Sequence, residues 1–204
     1  MNTWYNMIMD KKTIFITGAG SGIGRYAAFS LARRGHAVLA TTHRQESADE
    51  LQHIARQEKL LLTAFKLDIT SPEKKKKING YSIDVLINNA GIGESGSLAE
   101  IPLDKVRHNF EVNVFSSLAL SQAALQQMIP RNSGTIIFIS SLAGRIVSML
   151  FLGPYTMTKF SLSAAAEDLR NELRYITDNV HVSVVEPGAY HTGFNQKNIA
   201  KKYQ

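Results

Sequence analysis

Short apolar segments alternate with longer amphipathic segments along almost the whole chain. The apolar segments are rich in β-branched residues and end at glycine or a polar residue, which is typical of buried strands. Six segments have this character: Thr13–Thr17, Ala37–Thr41, Leu61–Leu67, Ile83–Ile87, Gly134–Ser140 and Val180–Val185. Because strands that are apolar on both faces occur in parallel sheets covered on both sides, the pattern predicts an α/β protein.

The segments between these strands predict helices. They are placed at Ile23–Arg34, Ser47–Glu58, Leu103–Ile129 and Tyr155–Ile176. Gly35 is suited to cap the end of the first helix, and Ser47 with Glu50 forms a potential capping box for the second. The link between Asp68 and Ile83 is short, so we expect a stunted or irregular helix there. The predicted architecture is doubly wound and Rossmann-like, with a mostly parallel sheet of about six strands and helices on both faces.

The residues with the most distinctive chemistry come directly after the predicted strands. They are Gly18–Gly24, Asp68, Asn88–Gly91, Ser140–Ser141 and Pro187–Thr192. In a doubly wound sheet, ligands bind outside the carboxyl ends of the strands. The sequence therefore predicts one ligand cleft along this edge.

The stretch Thr17–Gly24 (TGAGSGIG) forms a glycine-rich turn between the first strand and the first helix. Without side chains at Gly18, Gly22 and Gly24, backbone amides and a helix N-terminus can approach a pyrophosphate closely. A glycine cluster alone also occurs in purely structural turns. The flanking strand and helix favour a dinucleotide site.

Tyr155 and Lys159 lie one helical turn apart, downstream of the Ser140–Ser141 pair. A tyrosine with a pKa of about 10 exchanges protons poorly near neutral pH. We expect two positive charges, the Lys159 ammonium on the same helix face and an oxidised nicotinamide ring, to lower the pKa of Tyr155. Such a tyrosine–lysine pair alone is usually a packing feature, but beside a dinucleotide turn it indicates hydride transfer at an alcohol or carbonyl.

As a set, these motifs resemble the short-chain dehydrogenase/reductase family in its form with a Tyr-x-x-x-Lys active site. They follow the family's order over almost the whole chain: TGAGSGIG at Thr17–Gly24, Asp68, NNAG at Asn88–Gly91, Asn113, SSLAG at Ser140–Gly144, YTMTK at Tyr155–Lys159, and PG with Thr192.

The resemblance implies roles for individual residues. Ser141, Tyr155, Lys159 and Asn113 would be catalytic, with Tyr155 as general acid/base, Ser141 holding the substrate oxygen and Asn113 holding a water relay behind Lys159. The cofactor would be bound by Gly18, Gly20, Ser21, Gly22, Ile23, Gly24, Thr42, Arg44, Asp68, Ile69, Asn89, Ala90, Gly91, Tyr155, Lys159, Pro187, Gly188, Tyr190 and Thr192.

The end of the second strand bears on the choice of cofactor. A carboxylate there would accept from a free ribose 2′-hydroxyl, but the chain has Thr41–Arg44 (TTHR) and no carboxylate before Glu46. Arg44 can offer a bidentate fork to a 2′-phosphate. The sequence favours NADP(H) and leaves NAD(H) open, because Arg44 is also typical of a solvated loop.

Composition narrows the remaining function classes. At 204 residues, we expect a single NAD(P)-binding domain over 1–204, with 1–11 as a flexible N-terminal extension. No apolar run approaches the ~20 residues that span a bilayer. The chain has no cysteine and no secretory signal pattern, so a cytoplasmic protein without a membrane partner is expected.

Charge and further motifs point to no other chemistry. The formal net charge is +6, and the basic run Lys74–Lys77 has no interleaved aromatics, so it predicts a solvated face rather than a nucleic-acid site. We find no metal-ligand spacing and no G-x-S-x-G elbow around the serines. The expected partner is a small carbonyl or alcohol substrate.

The chain ends soon after Thr192, whereas family members usually continue through another helix and strand. A C-terminal helix–strand unit is therefore expected to be missing, which leaves a homo-oligomer open. The leading hypothesis is an NADP(H)-dependent oxidoreductase acting on a secondary alcohol or carbonyl. The alternative is a cofactor-binding sensor or interaction protein without turnover.

Overall fold

The computed structural model describes residues 10–146 and 150–188, apart from the side chains at positions 74 and 75. Six strands form one sheet in the order β3-β2-β1-β4-β5-β6, and every neighbouring pair is parallel. Their bounds are β1 Thr13–Ile16, β2 Ala37–Thr42, β3 Leu62–Lys66, β4 Val85–Asn88, β5 Gly134–Ile139 and β6 Val180–Val185. The predicted doubly wound sheet is confirmed.

Helices cover both faces of this sheet. They are α1 Gly22–Arg33, α2 Gln45–Gln57, α3 Lys74–Asn79, α4 Leu103–Phe110, α5 Ser116–Met128 and α6 Gly153–Leu173. The short α3 has the stunted form that its linker length predicts. In the described part of the chain, no helix has both the length and the apolar character needed to cross a membrane.

The side chains of β1 show why the sheet must be covered on both sides. Phe15 points into a core layer shared with α5 and α6, where Leu120 and Leu162 are buried. Ile14 and Ile16 point into the opposite layer, which α1 and α2 close. Since neighbouring side chains of a strand alternate between faces, an unbroken apolar run fills both layers at once.

Strand order reverses at β1, which pairs with β2 on one side and with β4 on the other. The chain segments leaving β1 and β4 therefore diverge and leave a crevice at their carboxyl ends. The glycine turn follows β1 and the Asn89–Gly91 segment follows β4, so both motifs border this crevice.

Two helix predictions are wrong in detail. Helix α2 begins at Gln45, with Arg44 as N-cap and no side-chain cap, so Ser47 and Glu50 form no capping box. The Thr42 hydroxyl donates to the Arg44 carbonyl at 2.6 Å and turns the chain into the helix earlier. The predicted helix Leu103–Ile129 is interrupted by a π-helical turn at Glu111–Phe115.

Candidate active site

The glycine turn packs directly against the end of β4. Gly18 has φ +67°, and a Cβ there would lie 2.7 Å from the Cα of Ala90. Gly22 also has a positive φ, of 55°. Both the left-handed conformation and the close approach require glycine at position 18. The predicted cofactor residues Gly18–Gly24 and Asn89–Gly91 are thus brought together at the crevice.

Thr17 ties the two sides of this junction together. Its Oγ1 accepts the backbone N–H groups of Asn89 and Ala90, both at 3.0 Å. In return, Asn89 Nδ2 donates to the carbonyls of Thr17 at 2.8 Å and Gly18 at 3.1 Å. Sequence reasoning assigned no role to Thr17, because its partners lie more than seventy positions away. Its place at a strand end was the only signal. The side-chain amide of Asn89 therefore stabilises the conformation of the glycine turn.

The ends of β2 and β3 supply the far side of the crevice. Thr42 is buried, whereas Arg44 is exposed at the N-cap of α2. Gly20 lies close to both elements, since a Cβ there would be 3.3 Å from Ser47 Cβ and 3.6 Å from Thr42 Cβ. Asp68 follows β3 and accepts from the backbone N–H and the hydroxyl of Thr70 at 2.9 and 2.7 Å, with the buried Ile69 between them.

Ser140 and Ser141 follow strand β5 and lie in different environments. Ser140 is buried and lies 3.2 Å from the Lys159 carbonyl. Ser141 caps a 3₁₀ turn at Leu142–Gly144, accepting the Ala143 N–H at 3.1 Å. The Ser141 hydroxyl is hydrogen-bonded to the Tyr155 phenol. Of the pair, Ser141 is the one that reaches the tyrosine.

Tyr155 and Lys159 lie in the first two turns of α6, with the Lys159 Nζ 5.6 Å from the centre of the phenol ring. Lys159 is buried, and its Nζ donates to the Ile139 carbonyl at 2.9 Å. Burial lowers the pKa of Lys159 to about 8. The end of β5 therefore holds the ammonium beneath the tyrosine.

The lowering of the Tyr155 pKa that we expect from Lys159 and an oxidised nicotinamide ring does not arise in the protein alone. Burial raises the pKa of Tyr155 above its ordinary value, and the hydrogen bond with Ser141 offsets part of that rise. Desolvation disfavours the charged phenolate, and at 5.6 Å from the ring centre the ammonium does not reverse this effect. The phenol is held in its protonated form near neutral pH.

Asn113 lies in the π-helical turn and clamps the segment that follows β4. Its Oδ1 accepts the Ile92 N–H at 2.8 Å, and its Nδ2 lies 2.9 Å from the Ile92 carbonyl. The same Nδ2 is 2.9 Å from Asn109 Oδ1 and from Thr158 Oγ1. Gly91 separates this amide from Lys159, since a Cβ there would be 3.2 Å from Asn113 Oδ1 and 3.7 Å from Lys159 Nζ. Asn109 and Thr158 are contributors that the sequence did not single out.

The remaining predicted site residues lie at or beyond the end of β6. Pro187 accepts the Leu142 N–H at 3.0 Å, which brings the Pro187–Gly188 segment against the 3₁₀ turn. Tyr190 and Thr192 lie outside the described residues. In the described part of the chain, no three His, Asp or Glu side chains converge as a metal site would require.

Comparison with known proteins is decisive for the family. The model of the short-chain dehydrogenase family matches residues 12–203. The chain belongs to that family. Its relatives include dehydrogenases and oxidoreductases acting on CH–OH groups, so this short-chain dehydrogenase is an oxidoreductase with a small-molecule substrate.

Two curated relatives and one solved structure illustrate the likeness. An uncharacterized oxidoreductase of Bacillus subtilis (strain 168) is 33% identical over 193 residues, which are 90% of this chain and 67% of the relative. Retinol dehydrogenase 8 of Homo sapiens is 35% identical over 204 residues, covering 96% of this chain and 64% of that protein. A gluconate 5-dehydrogenase from Burkholderia cenocepacia J2315, solved with NADP and tartrate, superposes with a TM-score of 0.85 at 25% identity and covers 94% of this chain and 76% of that one.

Proposed function

We propose that this dehydrogenase is NADP(H)-dependent and interconverts a carbonyl compound and its alcohol, with Tyr155 as the general acid/base. The observation that carries the proposal is the hydrogen bond between the Ser141 hydroxyl and the Tyr155 phenol, with the buried Lys159 Nζ 5.6 Å from the centre of the phenol ring. Two elements that are separate in sequence, the turn after β5 and helix α6, supply these groups. Such convergence at the carboxyl edge of a doubly wound sheet is what a catalytic cleft requires.

The residues around the crevice fit a dinucleotide. Helix α1 has no side-chain cap and no acidic residue in its first turn, so its N-terminal amides and dipole are suited to an anion such as pyrophosphate. Gly18, Gly20 and Gly24 let the turn pack closely on its neighbours, because a Cβ at any of them would crowd a protein atom. When bound, the nicotinamide supplies or accepts the hydride.

NADP(H) is the proposed preference, with NAD(H) as the less favoured cofactor. The exposed Arg44 stands at the end of β2, where a doubly wound fold meets the adenosine ribose. Its guanidinium suits a 2′-phosphate, and no carboxylate precedes it on that strand end. The NADP-bound gluconate 5-dehydrogenase supports this choice by likeness.

Ser141, Tyr155 and Lys159 have different roles in the proposed proton transfer. In reduction, the Ser141 hydroxyl holds the substrate carbonyl oxygen, and Tyr155 donates its proton to that oxygen as the carbon is reduced. In oxidation, the proton of the alcohol returns to Tyr155. Lys159 orients the ribose and balances the phenolate charge. Because burial keeps Tyr155 protonated, the protein alone is poised for carbonyl reduction.

Isotope transfer tests this function. The purified chain is incubated with NADPH deuterated on the reactive face of the nicotinamide C4 and with carbonyl probes such as 4-nitrobenzaldehyde, acetophenone and cyclohexanone. We expect one deuterium in the alcohol product, detected by mass spectrometry, and a higher kcat/KM with NADPH than with NADH.

Two outcomes count against the proposal. Binding of NADPH without turnover of any probe supports the alternative function, a cofactor sensor or interaction protein. Higher efficiency with NADH than with NADPH removes Arg44 as a phosphate ligand and leaves the hydride chemistry standing.

A further inference from the structure

A chain of polar contacts runs from the protein surface to the backbone of the catalytic helix. Arg145 Nε donates to both carboxylate oxygens of Glu186, at 2.7 and 2.9 Å. Ser163 Oγ donates to Glu186 Oε1 at 3.1 Å, and the hydroxyls of Ser163 and Ser140 are 2.8 Å apart. Ser140 in turn lies 3.2 Å from the Lys159 carbonyl.

The chemistry of these groups fixes the direction of the chain. An ionised carboxylate only accepts, so the Ser163 proton must go to Glu186. Ser163 then serves Ser140 as an acceptor, and the Ser140 proton points to it or is shared with the Lys159 carbonyl. Both serines are buried, at 4% and 5% exposure, so neither has water as an easy substitute partner.

Glu186 thus connects the elements that carry the proposed acid/base groups. Through Arg145 it holds the residue that follows the 3₁₀ turn at Leu142–Gly144, which begins at Ser141. Through Ser163 it holds the face of α6 one turn beyond Lys159. Glu186 itself follows the last residue of β6.

The 3₁₀ turn and helix α6 are also in close contact at Gly144. A Cβ at Gly144 would lie 2.8 Å from the Lys159 carbonyl oxygen and 3.0 Å from Ser140 Oγ. The 3₁₀ turn therefore rests on the backbone of α6 at the level of the catalytic lysine. Any shift of the turn relative to the helix changes the distance between Ser141 and Tyr155.

We propose that Glu186 is a positioning residue, which locks the turn bearing Ser141 onto helix α6 so that the Ser141 hydroxyl meets the Tyr155 phenol. The proposal rests on the function proposed above. Glu186 does not touch substrate or cofactor in this role; it acts through Arg145 on one side and Ser163 on the other.

The expected effect is on geometry rather than on stability. The Arg145 side chain is 55% exposed, and partly exposed ion pairs contribute little to folding stability. Catalysis is more sensitive, because a displacement of about 1 Å from a remote substitution can cost on the order of 100-fold in rate. A loss of kcat without a loss of stability is therefore the signature of positioning.

The test compares Glu186→Gln with Glu58→Gln. Glu58 forms an equally short two-contact pair with Arg33 at the far end of α1, at 2.8 Å for both contacts. With NADPH and 4-nitrobenzaldehyde as probes, we expect Glu186→Gln to lower kcat about 10- to 100-fold. The NADPH dissociation constant and the melting temperature stay at wild-type values, and Glu58→Gln changes none of the three.

Two further variants separate the contact of Glu186 with Arg145 from its contact with Ser163. Arg145→Gln releases only the turn and Ser163→Ala only the helix, so each should give part of the loss. Because Arg145 acts through Glu186, the double variant Arg145→Gln/Glu186→Gln should be no slower than Glu186→Gln alone. Additive losses, or a wild-type kcat in Glu186→Gln, would overturn the proposal.

Hydrogen exchange distinguishes this proposal from the proposed function. If the wild-type chain reduces no carbonyl probe, the proposed oxidoreductase mechanism fails. The positioning role of Glu186 can still be measured by amide hydrogen exchange. Glu186→Gln should then speed amide exchange in the segment 141–146, and Glu58→Gln should not. Unchanged exchange in that segment would refute the lock.

Discussion

Burial pushes the side chains of Tyr155 and Lys159, which we propose for the acid/base chemistry, toward their neutral forms. It lowers the pKa of Lys159 to about 8 and raises the pKa of Tyr155. Near neutral pH, Lys159 still carries its proton and Tyr155 keeps its phenolic hydrogen. In the proposed mechanism, Tyr155 therefore holds the one proton that carbonyl reduction consumes, and the hydrogen bond with Ser141 eases its release.

The buried ammonium predicts a pH dependence of stability. The pKa of Lys159 is about 8 in the folded chain, below the ordinary lysine value of 10.5, so the unfolded state binds more protons between these pH values. The free energy of unfolding contributed by this group therefore rises as pH increases through that window. From pH 7 to pH 10, the wild type should gain about 2 to 3 kcal/mol relative to Lys159→Met.

Urea unfolding of both proteins at the two pH values measures this gain. All other titrating groups are common to both proteins and largely cancel in the difference. A difference between the proteins that stays constant with pH would mean that Lys159 is not desolvated as described.

At the level of elements, the π-helical turn Glu111–Phe115 has a specific consequence. π-helical turns insert an extra residue into a helix and recur at functional sites. Here the turn carries the buried Asn113, whose amide holds both polar groups of the Ile92 backbone. This clamp fixes the segment after β4 beside Lys159.

Helix α1 packs closely against the glycine turn and Asn89, and the contact requires a glycine at position 24. A Cβ at Gly24 would lie 2.5 Å from the Gly18 carbonyl oxygen and 2.4 Å from Asn89 Nδ2. Gly24→Ala should cost about 1 to 3 kcal/mol of stability and weaken NADPH binding, because α1 must move off the turn. Gly80→Ala is the control, with its closest atom 3.3 Å away.

Thermal melts and NADPH fluorescence titrations compare the two variants. Equal melting temperatures and affinities would show that the turn tolerates a side chain, contrary to the packing described.

Most of the fold was predictable because strand and helix periods are local signals. The apolar runs located all six strands, and the glycine turn located the crevice. The π-helical turn was not predictable, since its residues have ordinary helical character. The capping box failed because Thr42, outside the helix, sets where α2 begins.

The missed features of the site all depend on distant partners. Thr17 and Glu186 act on residues that only the folded sheet brings near. The direction of the Tyr155 pKa depends on how deeply the phenol is buried, which residue spacing does not reveal. The sequence identifies the chemical groups of the site, whereas packing in the folded chain determines their protonation and their hydrogen-bond partners.

At the level of the whole molecule, the parallel sheet gathers the site at one edge. Within the described region, five of the six strands end at or just before residues that we propose for cofactor binding or catalysis, and β6 is followed by Pro187 and Gly188. The chain spans 64% of human retinol dehydrogenase 8 and 76% of the gluconate 5-dehydrogenase that it resembles. The single-domain organisation over 1–204 stays a prediction.

The central claim is that the Tyr155 hydroxyl supplies the proton for carbonyl reduction. Its most direct test is the rate of NADPH oxidation with 4-nitrobenzaldehyde by Tyr155→Phe, with Tyr175→Phe as control because Tyr175 is 93% exposed. We predict that Tyr155→Phe binds NADPH normally and loses about 10²- to 10⁴-fold in kcat, whereas Tyr175→Phe keeps the full rate. A Tyr155→Phe variant that turns over at the wild-type rate would contradict the claim.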